Sequence, residues 1–214
     1  MKAISLFSGA GIGEFYLQRL GIDVVAANEI IEKRAETHSL FYPSCTMITA
    51  DITKEETQKR IIEIGKANKV QLIIATPPCQ GLSSAGSNKT ESSLYNDPRN
   101  FLILSALKIV DELLPDYFSI ENVPRFQQML FPYDGSLVKL KELLALKYGN
   151  EYQIQCDVLN AADYGVPQTR LLVSSLPADI DNPPFLSETA FRQVIGEGIP
   201  PLMMEKIMKG IGKE

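Results

Sequence analysis

The 214-residue chain has few cysteines, no excess of basic charge and no long apolar run. Its three cysteines, Cys45, Cys79 and Cys156, are far apart and form no CxxC pair. Neither a disulfide framework nor a zinc site is indicated, and at most one thiol is expected to do chemistry. Lys and Arg number 21 against 26 for Asp and Glu, a formal charge of -5. That balance argues against attachment to nucleic acid by overall basicity; such a partner needs a locally basic face or help from a second chain. No apolar run approaches the ~18 residues of a membrane span. The opening MKAISLF lacks the basic, apolar and cleavage segments of a leader in series. A cytosolic chain with no membrane partner is expected, and no internal repeat or low-complexity tract is visible. What is present, 45% hydrophobic and 22% charged residues, suits a single domain with one sizeable core.

Short runs rich in Val, Ile and Phe alternate with helical patterns, the sign of stacked βα units. Ala3–Phe7, Asp23–Ala27, Thr46–Thr49, Gln71–Ala75, Tyr117–Ile120 and Tyr152–Val158 read as strands. Glu14–Leu20, Ile31–Leu40, Lys54–Ala67, Phe101–Leu114 and Ser136–Tyr148 read as helices. The expected fold class is α/β, doubly wound, with a mostly parallel sheet. Such sheets bind ligands at the carboxyl ends of their strands, so the residues that follow each strand are the first functional candidates.

After the first strand, FSGAGIG sets Gly9, Gly11 and Gly13 before a helical stretch, where backbone amides can approach a ligand. A tight turn that merely needs positive φ explains the same glycines. Glu14 stands where a dinucleotide fingerprint has its third glycine, which favours a smaller nucleoside ligand over a pyrophosphate. Glu29 ends the second strand, where a carboxylate can accept both hydroxyls of a ribose, and Asp51 follows the third, within reach of an adenine amino group. Singly, each reads as a helix cap or a solvated acid. Together, on consecutive strand ends after a glycine loop, they favour adenosine.

The segment Thr76–Pro98 is too long for an ordinary connection and suits an active-site loop. It carries Cys79 behind the stiff Pro77-Pro78 pair, where an exposed thiolate could act as a nucleophile. A rigid loop with an incidental cysteine is the alternative. Glu121 and Asn122 follow the next strand. A buried glutamate beside a nucleophile can hold a proton near neutral pH, although ENVP also suits a strand end closed by proline. Gln168 and Arg170, in YGVPQTR, supply an amide and a guanidinium suited to a phosphate or a base oxygen.

The ordered blocks LFSGAGIGEF, ANEI, ADI, TPPCQGLSSAG, DPRNFL, ENVPRF, YGVPQTR and FRQVIGEGIPPLMMEKI, from Ile4 to Ile207, resemble the S-adenosylmethionine-dependent DNA (cytosine-5) methyltransferases. PPCQ followed by ENV is the most specific part of the likeness. The resemblance implies a Rossmann-like methyltransferase fold, S-adenosyl-L-methionine as cofactor with S-adenosyl-L-homocysteine as product, no metal, and double-stranded DNA as partner. It implies a restriction-modification role in the prokaryotic cytosol or nucleoid. Cys79 would attack C6 of a flipped cytosine, with Glu121 at N3 and Arg170 as a further catalytic group. Phe7, Gly9, Ala10 and Gly11 would line the cofactor, with Glu29 and Ile30 at the second strand end, Asp51 and Ile52 at the adenine, and Pro78 and Leu102 completing the pocket.

Three features depart from that pattern. Arg170 is followed by Leu171 and Leu172, where the family carries a second arginine, and Glu197 stands where the terminal block has asparagine. The target recognition domain is missing: only Ser174–Ser187 separates the arginine block from the terminal block. The implied organisation is a cofactor-binding and catalytic domain over 1–175, a short linker over 176–187, and a segment over 188–214 that completes the domain. A chain from which the insert is absent is favoured over a minimal form that recruits a recognition partner and over a degenerate relative. A catalytically impaired S-adenosylmethionine-binding relative and an RNA cytosine-5 methyltransferase are the alternative functions.

Overall fold

The computed structural model describes residues 1–78, 95–159 and 199–210. Five strands, β1 (Lys2–Leu6), β2 (Asp23–Glu29), β3 (Thr46–Thr49), β4 (Leu72–Ala75) and β5 (Tyr117–Ile120), form one parallel sheet in the order β3-β2-β1-β4-β5. The helices are α1 (Glu32–Phe41), α2 (Glu55–Asn68), α3 (Ile103–Leu113), α4 (Leu140–Tyr148) and α5 (Pro201–Met208). Among the described residues, no helix is long and apolar enough to cross a membrane.

Central strands covered on both faces must be apolar at every position, and all four residues of β4 are buried. Alternate side chains feed two cores. Ile4, Leu6, Ile73 and Ala75 join Ile61 of α2, Ile103 and Ile109 of α3 and Leu143 of α4 on one face. Ala3, Leu72 and Ile74 meet Leu17, Ile22, Met204 and Met208 on the other. The fold is thus the expected doubly wound, mostly parallel α/β sheet. Because β2 and β4 flank β1 on opposite sides, the chain reverses direction across the sheet at β1, and the carboxyl ends of β1 and β4 mark the position at which sheets of this kind bind ligands.

Three local expectations are corrected. Glu14–Leu20 is not one amphipathic helix: two short 3-10 turns, Ile12–Glu14 and Leu17–Leu20, take its place, the second ending at Gly21 with φ 70°. The expected helix from Ser136 begins only at Leu140. Ser136–Lys139 is strand β7, paired antiparallel with β6 (Leu130–Tyr133). Asp134 and Gly135, both with positive φ, make the two-residue turn between them, for which Asp-Gly is a strong signal. Finally, Tyr152–Val158 is not a strand. Tyr152, Ile154 and Cys156 pack on the core with period two, and Tyr152 Oη donates to the Pro115 carbonyl at 2.6 Å, but the segment has no ladder partner among the described residues.

Candidate functional site

The loop after β1 is held by its neighbours at both flanks. Phe7 leaves the strand with φ 60°, a left-handed conformation that costs a non-glycine residue about 1–2 kcal/mol. Its carbonyl accepts a hydrogen bond from Thr76 Oγ1 at 3.0 Å, which ties the ends of β1 and β4 together. On the other side, the Ser8 amide donates to the Asn28 carbonyl at 3.0 Å. The buried Asn28 side chain in turn donates to the carbonyls of Ile48 and Ala50, at 2.8 and 3.0 Å, and so fixes the end of β3 just before Asp51.

Glu29, 6% exposed, closes β2. Its two carboxylate oxygens accept from separate backbone amides, Gly9 at 3.0 Å and Ile31 at 2.8 Å. Each oxygen keeps a second lone pair, so the carboxylate can still accept from a vicinal diol. Ile30, 62% exposed, offers an apolar surface beside it. Asp51 accepts from both the amide and the hydroxyl of Thr53, at 2.9 and 2.8 Å. These bonds, chiefly the backbone one, hold its carboxyl below the usual aspartate value, so it is an acceptor at neutral pH. Ala10 and Ile52 are buried, the latter within the larger core, while Phe7 and Leu102 are partly buried against that core. The space at Gly9, open among the described residues, the diol-competent carboxylate, the apolar Ile30 and the anionic acceptor Asp51 fit an adenosine-bearing ligand.

At the ends of β4 and β5, Asn122 Nδ2 donates to the Pro77 carbonyl at 2.9 Å, while Asn122 Oδ1 accepts from the Val123 amide. This links the strand end that carries Glu121 to the one that leads through Pro78 toward position 79. Glu121 is partly buried, and desolvation raises its pKa above the ordinary glutamate value. Cys79, Arg170, Gln168 and Glu197 lie outside the described residues. Thr76 and Asn28 escaped the sequence reading; for Asn28 the available signal was a polar residue inside the otherwise apolar VVAANE strand.

Residues 1–175 match the family described as C-5 cytosine-specific DNA methylase. The chain is 44% identical over 170 residues to the Type II methyltransferase M1.HgaI of Avibacterium volantium, covering 79% of this chain and 48% of that protein. It is 37% identical over 174 residues to the Type II methyltransferase M.AquIA of a Picosynechococcus strain, covering 79% and 68%. A solved E. coli prophage protein, described as a DNA modification methyltransferase, superposes with a TM-score of 0.57 at 29% identity, covering 77% of this chain and 42% of the other. The chain thus spans about half the length of M1.HgaI. With the family model matching most of its length, the chain belongs to the C-5 cytosine-specific DNA methylase family.

Proposed function

We propose that these residues are the cofactor-binding and catalytic part of a DNA (cytosine-5) methyltransferase of restriction-modification type. One observation carries the reading: a glycine loop, Glu29, Asp51, Pro77-Pro78 and Glu121 stand at successive carboxyl ends of one parallel sheet, about its reversal point. Residues 1–175 form the catalytic domain in this reading, 176–187 are a linker, and 188–214 complete the domain. A separate or excised target recognition domain supplies most of the sequence-specific grip on duplex DNA. The packing of α5 against Leu17 and Ile22 supports a structural role for the last segment.

S-adenosylmethionine supplies an electrophilic methyl group when bound, and leaves as S-adenosylhomocysteine. Phe7, Gly9, Ala10 and Gly11 would line it, Glu29 would accept from its ribose hydroxyls beside Ile30, Asp51 and Ile52 would meet its adenine, and Pro78 and Leu102 would complete the pocket. The thiolate of Cys79 adds to C6 of a flipped cytosine, forming a C–S bond. Glu121, whose burial favours the protonated form, donates to N3 and draws charge from the ring. Arg170 binds the base oxygen or a flanking phosphate. C5 thereby becomes nucleophilic enough to accept the methyl group. Solvent then takes the C5 proton as the Cys79 thiolate departs and the N3 proton returns to Glu121, which restores the aromatic ring.

The experiment is transfer of labelled methyl groups by the full-length gene product to duplex DNA and, separately, to tRNA. Label in duplex DNA, its loss in Cys79→Ala with cofactor binding spared, and a covalent complex with 5-fluorocytosine DNA are expected. Undiminished transfer by Cys79→Ala overturns the mechanism, label in tRNA alone makes the substrate RNA, and cofactor binding without transfer or trapping makes the protein an impaired relative.

A further inference from the structure

We propose that Glu14, His38 and Tyr42 are positioning residues that clamp the glycine loop from beneath and so set its affinity for the cofactor; this rests on the proposed cofactor role of that loop. His38 lies near the end of α1 and Tyr42 immediately follows it. The Tyr42 hydroxyl donates to the Gly11 carbonyl at 2.7 Å, and the Glu14 amide reaches the same oxygen at 3.0 Å. His38 Nε2 lies 3.1 Å from Glu14 Oε2, with His38 fully buried and Glu14 6% exposed. The His38 and Tyr42 rings stack obliquely, 4.7 Å between centroids. A Cβ on Gly11, whose φ is 75°, would collide with the Tyr42 ring and approach His38 Cδ2 to 2.8 Å. The loop therefore rests directly on both rings, while around Gly9 nothing among the described residues lies within 4 Å of where a Cβ would stand.

A carboxylate and an imidazole buried here, with Glu14 Oε1 and His38 Nδ1 lacking partners among the described residues, are costlier than apolar packing of the same shape. What they supply is a defined loop geometry. In a trans peptide the C=O and N–H point in opposite directions, so fixing the Gly11 carbonyl on Tyr42 turns the Ile12 N–H away from α1. Burial, followed by the negative charge of Glu14, raises the Tyr42 pKa well above the ordinary tyrosine value, so the hydroxyl remains a donor across the working pH range. A loop held in one conformation before the ligand arrives loses less freedom on binding, which appears as affinity.

The test is calorimetric titration of the whole 214-residue chain with S-adenosylhomocysteine, alongside thermal unfolding without ligand and the 15N shift of Ile12, whose nitrogen shares the peptide bond of the Gly11 carbonyl. Tyr42→Phe keeps the ring and removes the donor. It should weaken binding about fivefold to tenfold, as expected for one net hydrogen bond, move the Ile12 shift, and leave the unfolding midpoint within about 4 °C. Glu14→Leu should weaken binding similarly, and Glu14→Gln, which keeps an acceptor, should recover most of the loss. Equal affinity in wild type and Tyr42→Phe overturns the proposal, as does a lowered midpoint with unchanged affinity, which makes the cluster structural only. Absence of binding by the wild-type chain instead overturns the cofactor reading on which the proposal rests.

Discussion

The Gly9 amide donates to Glu29 Oε2 at 3.0 Å, so the glycine loop and the end of the neighbouring strand are joined through a side chain before any ligand is considered. The second oxygen takes the Ile31 amide, and the carboxylate is oriented by two fixed donors. Glu29→Ala leaves both amides without an acceptor and should cost about 1–3 kcal/mol of stability. Glu29→Gln should do no better, because whichever way its amide turns, an NH2 group faces a backbone N–H. Denaturant unfolding of the two variants checks this, and full stability in Glu29→Gln would show that the two amides do not depend on the carboxylate.

Gly9 and Gly11 separate two costs that a glycine can hide. Both have positive φ, 57° and 75°, so alanine at either pays the left-handed penalty of about 1–2 kcal/mol. Among the described residues, the added methyl meets a packed side chain at Gly11 and none at Gly9. Gly11→Ala should therefore lower stability distinctly more than Gly9→Ala, by about a further 1–3 kcal/mol for overpacking. Chemical unfolding of the pair measures the gap, and equal losses would mean that the Tyr42 and His38 rings yield freely.

The sheet was legible because its strands are short runs rich in Val, Ile and Ala, fully buried in β4 and mostly so in β1, that alternate with helical patterns. Thr46–Thr49 and Tyr117–Ile120 have the bounds expected from sequence, and Glu29 and Asp51 stand at the strand ends where the sequence placed them. The hairpin was hidden because Leu137 and Val138 continue the apolar spacing of α4 backward, and the Asp134-Gly135 turn went unweighed. Alternation over 152–158 reported a buried face correctly, but pairing depends on another backbone, which periodicity cannot report. His38 and Tyr42 were invisible for a different reason. They act on a loop 24 or more residues earlier, through a contact that only the crossing of α1 beneath that loop creates.

Asp51 should titrate below 3.8, its ordinary value, because the charged form accepts two hydrogen bonds from Thr53. Folding lowers this pKa, so the contribution to stability is complete above 3.8 and disappears as pH falls through the folded value. Thr53→Val removes the hydroxyl and keeps the amide, which is the larger cause. The NMR titration midpoint of Asp51 should then move only part of the way back. A complete return would assign the effect to the hydroxyl, and no movement would assign it to the backbone alone.

Glu121 shows the opposite linkage. Desolvation raises its pKa above 4.5, so the folded state holds the proton more tightly than the unfolded chain does. Below 4.5 both states are protonated and nothing is lost; as pH rises from there through the folded value, the native protein becomes progressively less stable relative to a neutral analogue. Glu121→Gln is that analogue. Its stability relative to wild type should improve from acid toward neutral pH and level off once Glu121 is ionised in both states. Urea unfolding of the two proteins between about pH 4 and pH 7.5 reads the difference directly, since other groups titrate alike in both. A constant difference would mean that Glu121 is as solvated folded as unfolded, and its proposed service as a proton donor to cytosine N3 would lose its physical basis.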